Sequence, residues 1–231
     1  MFDISPTEWT AILLSLRVAT VATLVATPIA IAVAWLLARR EFWGKALLDA
    51  AIHLPLVLPP VVTGYLLLLT FGRRGAVGAW LAEHLGLVFA FRWTGAALAC
   101  GIMSFPLLVR PIRLSIEAVD RRLEQAAATL GAAPWQAFLT VTLPLALSGV
   151  LAGMVLGFAK ALGEFGATIT FVSNIPGETQ TISSAIYALI QTPDGDAAAL
   201  RLVVVSVLLA MAALVASEWF ARRATLRQHG N

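Results

Sequence analysis

The sequence predicts an all-α integral membrane protein with about five transmembrane helices. Of its 231 residues, 59% are hydrophobic and 13% are charged, whereas a soluble domain averages about 25% charged residues. Several apolar segments approach the length of about 20 residues that crosses the hydrocarbon core. The basic residues lie beside these segments, which indicates membrane topology rather than nucleic-acid binding. We expect residues 1–231 to form one transmembrane domain surrounded by lipid.

Five segments are candidate spans, and three of them are clear. The candidates are residues 12–37, 54–71, 94–109, 143–162 and 198–219. The second contains Pro55, Pro59 and Pro60, and the third contains Pro106. Prolines are tolerated in spans where neighbouring helices satisfy the freed carbonyls, so we expect these two segments to be broken and to face protein or a cavity. The acidic start of the chain lacks the basic region of a secretory signal, so the first span should be retained.

The charges of the connections predict the orientation of the chain. Basic residues lie in the first connection, the central connection and the C-terminal tail: Arg39, Arg40, Lys45, Arg110, Arg113, Arg121, Arg122, Arg222, Arg223 and Arg227. The opposite side is mainly acidic, with Arg73, Arg74 and Arg92 as exceptions. Because basic connections stay in the cytoplasm, we expect the N-terminus outside and the C-terminus inside. The long connection 164–196 is then external, and its apolar stretch 182–190 is predicted to be a re-entrant or interfacial helix.

The segment 124–144 is too polar and too interrupted to cross a bilayer. Apolar residues recur with helical spacing from Ile116 into its first part, at Ile116, Val119, Leu123, Ala126, Ala127 and Leu130. Gly131 stands where such a helix would end, and Pro134 where a new one would begin. The pattern predicts two short helices joined by a glycine turn, a compact element to which a soluble partner can bind. Trp135 would either anchor into that partner or lie at the membrane surface.

This segment resembles the cytoplasmic coupling loop of ABC importer permeases, whose motif reads Glu-Ala-Ala, then Gly, then Ile-x-Leu-Pro. The positions that match are Gln125, Ala126, Ala127, Gly131, Val141, Leu143 and Pro144. Gln125 replaces the usual glutamate, with Glu124 just before it, and Val141 replaces isoleucine. The resemblance implies that a loop over about 117–142 contacts an ATPase. The coupling residues it implies are Glu124, Gln125, Ala126, Ala127, Leu130, Gly131, Ala132, Pro134 and Trp135.

Stretches outside the loop resemble the sulfate and molybdate permeases, and those at 54–64 and from 176–180 through 195–201 point to the molybdate branch. The stretches are residues 54–64, 105–110, 160–168, 176–180 and 195–201. The resemblance implies a type I ABC importer permease fold in the bacterial inner membrane, working as a homodimer. It also implies two cytoplasmic ATPase subunits and an extracytoplasmic molybdate-binding protein. Tungstate, sulfate and thiosulfate remain alternative substrates. A secondary transporter is a further alternative, although those folds usually contain internal repeats, and none is visible.

No catalytic constellation is visible in the sequence. The phosphate-binding motif G-x-x-x-x-G-K-[ST] does not occur, and there is no His/Cys cluster for a metal. We therefore expect a transport subunit without a cofactor of its own, with ATP and Mg²⁺ bound by the partner ATPase. Cys100, within an apolar run, is interpreted as a buried hydrophobe.

Three polar residues near the end of the fourth span are candidates for the transport pathway: Lys160, Glu164 and Thr168. Lys160 and Glu164 are one helical turn apart and can pair. They would form either a polar element of the pathway or a self-neutralised pair at the membrane interface. Arg17 would be an interfacial anchor or a substrate contact. The glycines at 149, 153 and 157 are spaced for close helix approach, within the chain or between two copies.

Overall fold

The computed structural model describes residues 4–229, with side chains described through Val215. This part of the chain is helical and contains no strand, which confirms the all-α prediction. The helices are α1 Pro6–Arg39, α2 Lys45–Val57, α3 Pro60–Phe71, α4 Ala76–Leu85, α5 Trp93–Ala118, α6 Arg121–Thr129, α7 Pro134–Ala137, α8 Leu143–Leu145, α9 Leu147–Leu162, α10 Gly166–Val172, α11 Ile182–Leu189 and α12 Asp196–His229. A π-helical turn, Phe138–Thr142, joins α7 to α8.

Three of the described helices are long and apolar enough to cross a membrane on their own: α1, α5 and α12. Two bent pairs add to them. Helices α2 and α3 meet at a bend of 115°, and the segment Pro134–Leu145 meets α9 at 70°. If each bent pair counts as one span, the described residues provide five, the number expected from the sequence.

The prolines act differently in the second and third predicted spans. The second breaks at Pro59, where Leu58 is extended with φ −69° and ψ 142°, the conformation that a following proline imposes. Pro55 lies inside α2 and does not end it. The prediction of a break in the third span is wrong, because α5 runs for 26 residues through Pro106 and Pro111. Neighbouring helices bury most of the apolar part of α5, and such neighbours can satisfy the carbonyls that prolines free.

Two predicted boundaries are also corrected. The fourth span begins at Leu147 rather than at residue 143, because the chain turns at Ala146, with φ −86° and ψ 3°. The helical pattern read across 116–130 is two helices, since α5 ends at Ala118 and α6 begins at Arg121. The Asp120 side chain accepts a hydrogen bond from the backbone N–H of Arg122 at 2.9 Å. It caps α6 and therefore separates it from α5.

The core forms where α5 packs between α1 and α9. Val109, Ile112 and Ile116 of α5 are fully buried. The glycines of α9 allow its close approach, since a Cβ on Gly153 would lie 2.9 Å from the carbonyl oxygen of Leu108. The small-residue face of α9 therefore serves packing within the chain.

The end of the molecule that contains the N-terminus of α1 is tied together by polar contacts. The Arg201 guanidinium of α12 contacts the buried carboxylate of Glu8 in α1 at 2.8 Å. The backbone N–H of Ile182 donates to the Ser15 hydroxyl at 2.7 Å. These bonds join α1, α11 and α12, so the stretch predicted at 182–190 is a short helix, α11, packed on two long ones.

Candidate functional site

The loop between α5 and α9 contains the glycine turn that the sequence predicts. Gly131 has a φ of +89°, a left-handed conformation that glycine adopts without steric cost. Its N–H donates to the carbonyl of Ala128 at 3.0 Å, and the N–H of Ala132 donates to the carbonyl of Ala127 at 3.0 Å. This pair of bonds is the glycine-dependent motif that ends α-helices. The turn thus fixes the direction in which the chain leaves α6.

The second half of the loop begins at Pro134, in the first position of α7. The side-chain oxygen of Gln136 accepts a hydrogen bond from the Ala133 N–H at 2.7 Å, which satisfies a donor that a helix start leaves free. The π-helical turn Phe138–Thr142 follows and ends at a fully buried Thr142. Such turns are rare and occur often at functional sites.

Glu124 joins three parts of the chain. Its Oε1 accepts hydrogen bonds from Arg39 Nε at 3.1 Å and from Thr142 Oγ1 at 2.5 Å. Arg39 also donates to the carbonyl of Val119 at 3.0 Å. The Arg39 side chain is only 7% exposed and that of Glu124 is 25% exposed. We call Arg39, Glu124 and Thr142 the inner joint, because they connect the end of α1 to both halves of the loop.

Two large apolar side chains are exposed beside the turn of the loop. Leu130 is 89% exposed and Trp135 is 64% exposed, and they lie on either side of the turn at Gly131. We call these two side chains the loop tip. Large exposed apolar groups that lie together mark interaction sites. A loop held rigidly from inside, with apolar side chains outside, suits contact with a soluble partner.

The structure separates the predicted coupling residues into an inner and an outer group. Glu124 faces α1 within the inner joint, and Ala127 and Ala132 are half-buried. The other predicted residues are exposed: Gln125, Ala126, Leu130, Gly131, Pro134 and Trp135. Sequence reasoning missed Arg39 and Thr142. Arg39 is 85 positions from Glu124 in the sequence, and its basic charge indicated only topology.

The three pathway candidates lie together at the junction of α9 and α10. Lys160 Nζ contacts Glu164 Oε2 at 2.6 Å, which confirms the predicted pairing. The other oxygen of Glu164 accepts a hydrogen bond from the N–H of Ala167 at 3.0 Å. The Glu164 side chain is 1% exposed and that of Lys160 is 30% exposed, so Glu164 is enclosed by protein. Thr168 is buried and donates to the carbonyl of Phe165.

Two further residues singled out in the sequence are Arg17 in α1 and Cys100 in α5. Arg17 is exposed, and its guanidinium stacks 3.7 Å from the centre of the Trp93 ring, a cation–π contact that holds α1 against the start of α5. Cys100 is 1% exposed within the core, as expected of a buried hydrophobe.

Solved structures of ABC transporters share this fold. A crystal structure of a bacterial ABC transporter involved in the import of the acidic polysaccharide alginate matches with a TM-score of 0.74 at 18% identity, over 95% of this chain and 80% of that one. An inward-facing structure of the MetNI methionine ABC transporter matches with a TM-score of 0.70 at 15% identity, over 96% and 99%. At these identities the likeness concerns the fold.

Residues 26–226 match the family of binding-protein-dependent transport system inner membrane components. The chain belongs to this family and is thus a multi-pass inner-membrane transport subunit rather than an enzyme. Within the family it falls among the molybdenum transport permeases. It is 61% identical to the molybdenum transport system permease protein ModB of Escherichia coli strain K12, over 93% of this chain and 94% of that protein. It is 57% identical to the Haemophilus influenzae protein of the same name, over 94% of each.

A sulfate permease is a more distant relative. The sulfate transport system permease protein CysT of Escherichia coli strain K12 is 38% identical, over 79% of this chain and 64% of that protein.

Proposed function

We propose that this chain is the permease of an ATP-driven molybdate importer. The observation that carries the proposal is the coupling loop, whose apolar tip stands out from a turn fixed by Gly131. The identity of 61% to a molybdenum transport permease supports molybdate as the substrate. The loop transmits the movement of a cytoplasmic ATPase to the spans, which alternate between outward and inward access.

The proposed assembly contains two copies of this chain, two ATPase subunits and one extracytoplasmic molybdate-binding protein. One copy offers at most five spans among its described residues, too few to enclose a gated pathway. The sequence has no motif for binding nucleotide phosphates, so ATP and Mg²⁺ are held by the partner ATPase. A related fold was solved in complex with an alginate pentasaccharide-bound periplasmic protein, which supports the same kind of partner here.

Lys160 is the proposed cation of the permeation pathway. Its side chain is 30% exposed, and its ammonium group is paired with the buried carboxylate of Glu164. Because Glu164 already partly neutralises Lys160, a passing dianion is bound there only weakly and briefly. Tight binding and selectivity belong to the extracytoplasmic binding protein, which encloses the anion completely.

The first prediction concerns orientation. Arg122 and Glu178 are exposed and lie in connections of opposite charge character. In a variant with Cys100→Ala, we expect Arg122→Cys to react with thiol reagents only from the cytoplasm and Glu178→Cys only from outside. Labelling of intact cells with a membrane-impermeant maleimide, before and after permeabilisation, measures this. Reaction of both cysteines from the same side would contradict the five-span topology.

The second prediction concerns the substrate. In proteoliposomes with the complete complex, molybdate-loaded binding protein should raise ATP hydrolysis severalfold. Tungstate should substitute closely, because it is a tetrahedral dianion of nearly equal size. Free molybdate without the binding protein should have little effect.

The matched control is a binding protein loaded with sulfate, a smaller dianion. Stimulation by the sulfate-loaded form, with none by the molybdate-loaded form, would contradict the proposed substrate. The family assignment would stand in that case.

A further inference from the structure

A cavity of about 360 Å³ lies between the end of α1 and the coupling loop. Its wall combines cationic, acidic and aromatic side chains, among them Trp35, Arg39, Arg40, Arg121, Glu124 and Phe138. Leu130 and Trp135 do not line it. Four of the predicted coupling residues do line it, namely Glu124, Gln125, Ala132 and Pro134. The cavity therefore lies on the coupling loop itself, but its wall does not include the loop tip.

The cavity has an excess of positive charge. Arg39 is neutralised by Glu124 at 3.0 Å, but no described carboxylate lies within 4.0 Å of Arg40 or Arg121. Arg121 makes only a long hydrogen bond to the carbonyl of Ala38, at 3.4 Å. The guanidinium of Arg40 lies 5.7 Å above the Trp35 ring. Both arginines are exposed and line the cavity, with most of their N–H donors free for an anion.

The carboxylate that follows Arg40 in the sequence is already engaged. Glu41 accepts a hydrogen bond from Lys45 Nζ at 2.6 Å, and this contact lowers the pKa of the Glu41 carboxyl. Glu41 therefore stays ionised, is paired with Lys45, and acts on Arg121 only from beyond 4.0 Å. The two arginines of the cavity remain available to a ligand.

We propose that this cavity binds the phosphate of an anionic phospholipid headgroup. Guanidinium groups bind phosphate oxygens through paired, charge-assisted hydrogen bonds. The cavity lies where the long apolar helix α1 ends at Arg39, the depth at which headgroups are found. Trp35 and Phe138 meet edge to face there, with ring centres 6.0 Å apart, and aromatic rings are enriched at that depth. Basic pockets between spans on the cytoplasmic side are typical headgroup sites.

A bound headgroup would stabilise the position of the coupling loop relative to α1. Arg40 follows α1 and Arg121 begins α6, so one phosphate between them bridges the two elements. It adds a second connection beside the inner joint. The proposed function places the coupling loop in the cytoplasm, and only the choice of the cytoplasmic leaflet rests on it. The binding of an anionic headgroup rests on the cavity itself.

The test measures lipid retained by the purified permease–ATPase complex in native mass spectrometry. The wild type should retain phosphatidylglycerol in preference to phosphatidylcholine. The double variant Arg40→Gln with Arg121→Gln should lose this retention by about tenfold, since each arginine contributes to anionic lipid binding. Arg40→Lys with Arg121→Lys keeps the charge and should retain most of it. Arg73→Gln with Arg74→Gln, which removes two exposed arginines elsewhere, should match the wild type.

Three results would overturn the proposal. The first is equal retention of phosphatidylglycerol by the wild type and the glutamine double variant. The second is complete displacement of phosphatidylglycerol by millimolar inorganic phosphate or molybdate, which would identify a site for a free oxyanion. The third is loss of the ATPase from the glutamine double variant with lipid retention unchanged, which would make the cavity a protein contact. Molybdate transport is not measured, so failure here is distinguishable from failure of the proposed function.

Discussion

Replacing Gly131 with valine is expected to abolish molybdate uptake while the permease still reaches the membrane. The φ of +89° at this position costs an ordinary L-residue about 1–2 kcal/mol, and a β-branched residue more. No atom lies within 4 Å of the Cβ that a side chain would add, so the effect comes from the backbone alone. The turn would open, its hydrogen bonds to Ala127 and Ala128 would break, and the loop tip would move. Uptake of labelled molybdate, normalised to permease in the membrane, measures this.

Gly86 supplies the matched control. It follows α4 with a φ of +65° and no atom within 4 Å of an added Cβ, and the Leu87 N–H reaches back to Leu81. Gly86→Val therefore imposes a similar strain on a helix end outside the loop, and should transport far better than Gly131→Val. Normal uptake by well-inserted Gly131→Val would refute the role of the turn. Equal loss in both variants would indicate general misfolding instead.

Substituting Glu124 with alanine is expected to destabilise the permease and to uncouple ATP hydrolysis from transport. The change leaves the Arg39 guanidinium, whose side chain is 7% exposed, without its carboxylate, and it removes the partner of the Thr142 hydroxyl. Loss of one partner of a buried ion pair costs about 3–5 kcal/mol, and the partial exposure of Glu124 favours the lower end. Thermal unfolding of the purified complex and the ratio of molybdate transported to ATP hydrolysed measure both effects.

Two variants test this interpretation. Glu41→Gln removes the exposed ion pair with Lys45 and should change neither quantity measurably. Glu124→Gln offers Thr142 an oxygen acceptor but leaves the Arg39 charge unpaired, so its stability should be intermediate. A Glu124→Ala variant with unchanged stability and coupling would show that the inner joint neither stabilises the permease nor couples α1 to the loop.

Features with local signals could be predicted from the sequence. The turn at Gly131 depends on one residue with left-handed geometry, and the start of α7 depends on Pro134 in its first position. The turn and the helix start each depend on interactions within a few residues of the chain. The pairing of Lys160 with Glu164 was predicted for the same reason, because helix geometry alone brings positions four apart together.

Features decided by packing could not be predicted. Pro106 does not break α5, because α1 and α9 enclose the helix, whereas the pair at Pro59 and Pro60 lies where no such enclosure compensates and the chain turns by 115°. Nothing local joins Arg39 to Glu124. Their contact exists because α1 ends beside the loop, which is a property of the whole fold.

The most direct test of the central claim is photo-crosslinking from the loop tip in the membrane. A photoreactive amino acid in place of Leu130, which is 89% exposed, should capture the cytoplasmic ATPase, and the yield should change when ATP is bound. The same group in place of Leu85, exposed at the end of α4, should capture no ATPase. An ATPase adduct at Leu130 that responds to ATP is the result we predict. Its absence in an active complex, or an equal adduct from Leu85, would contradict the assignment of this loop as the coupling element.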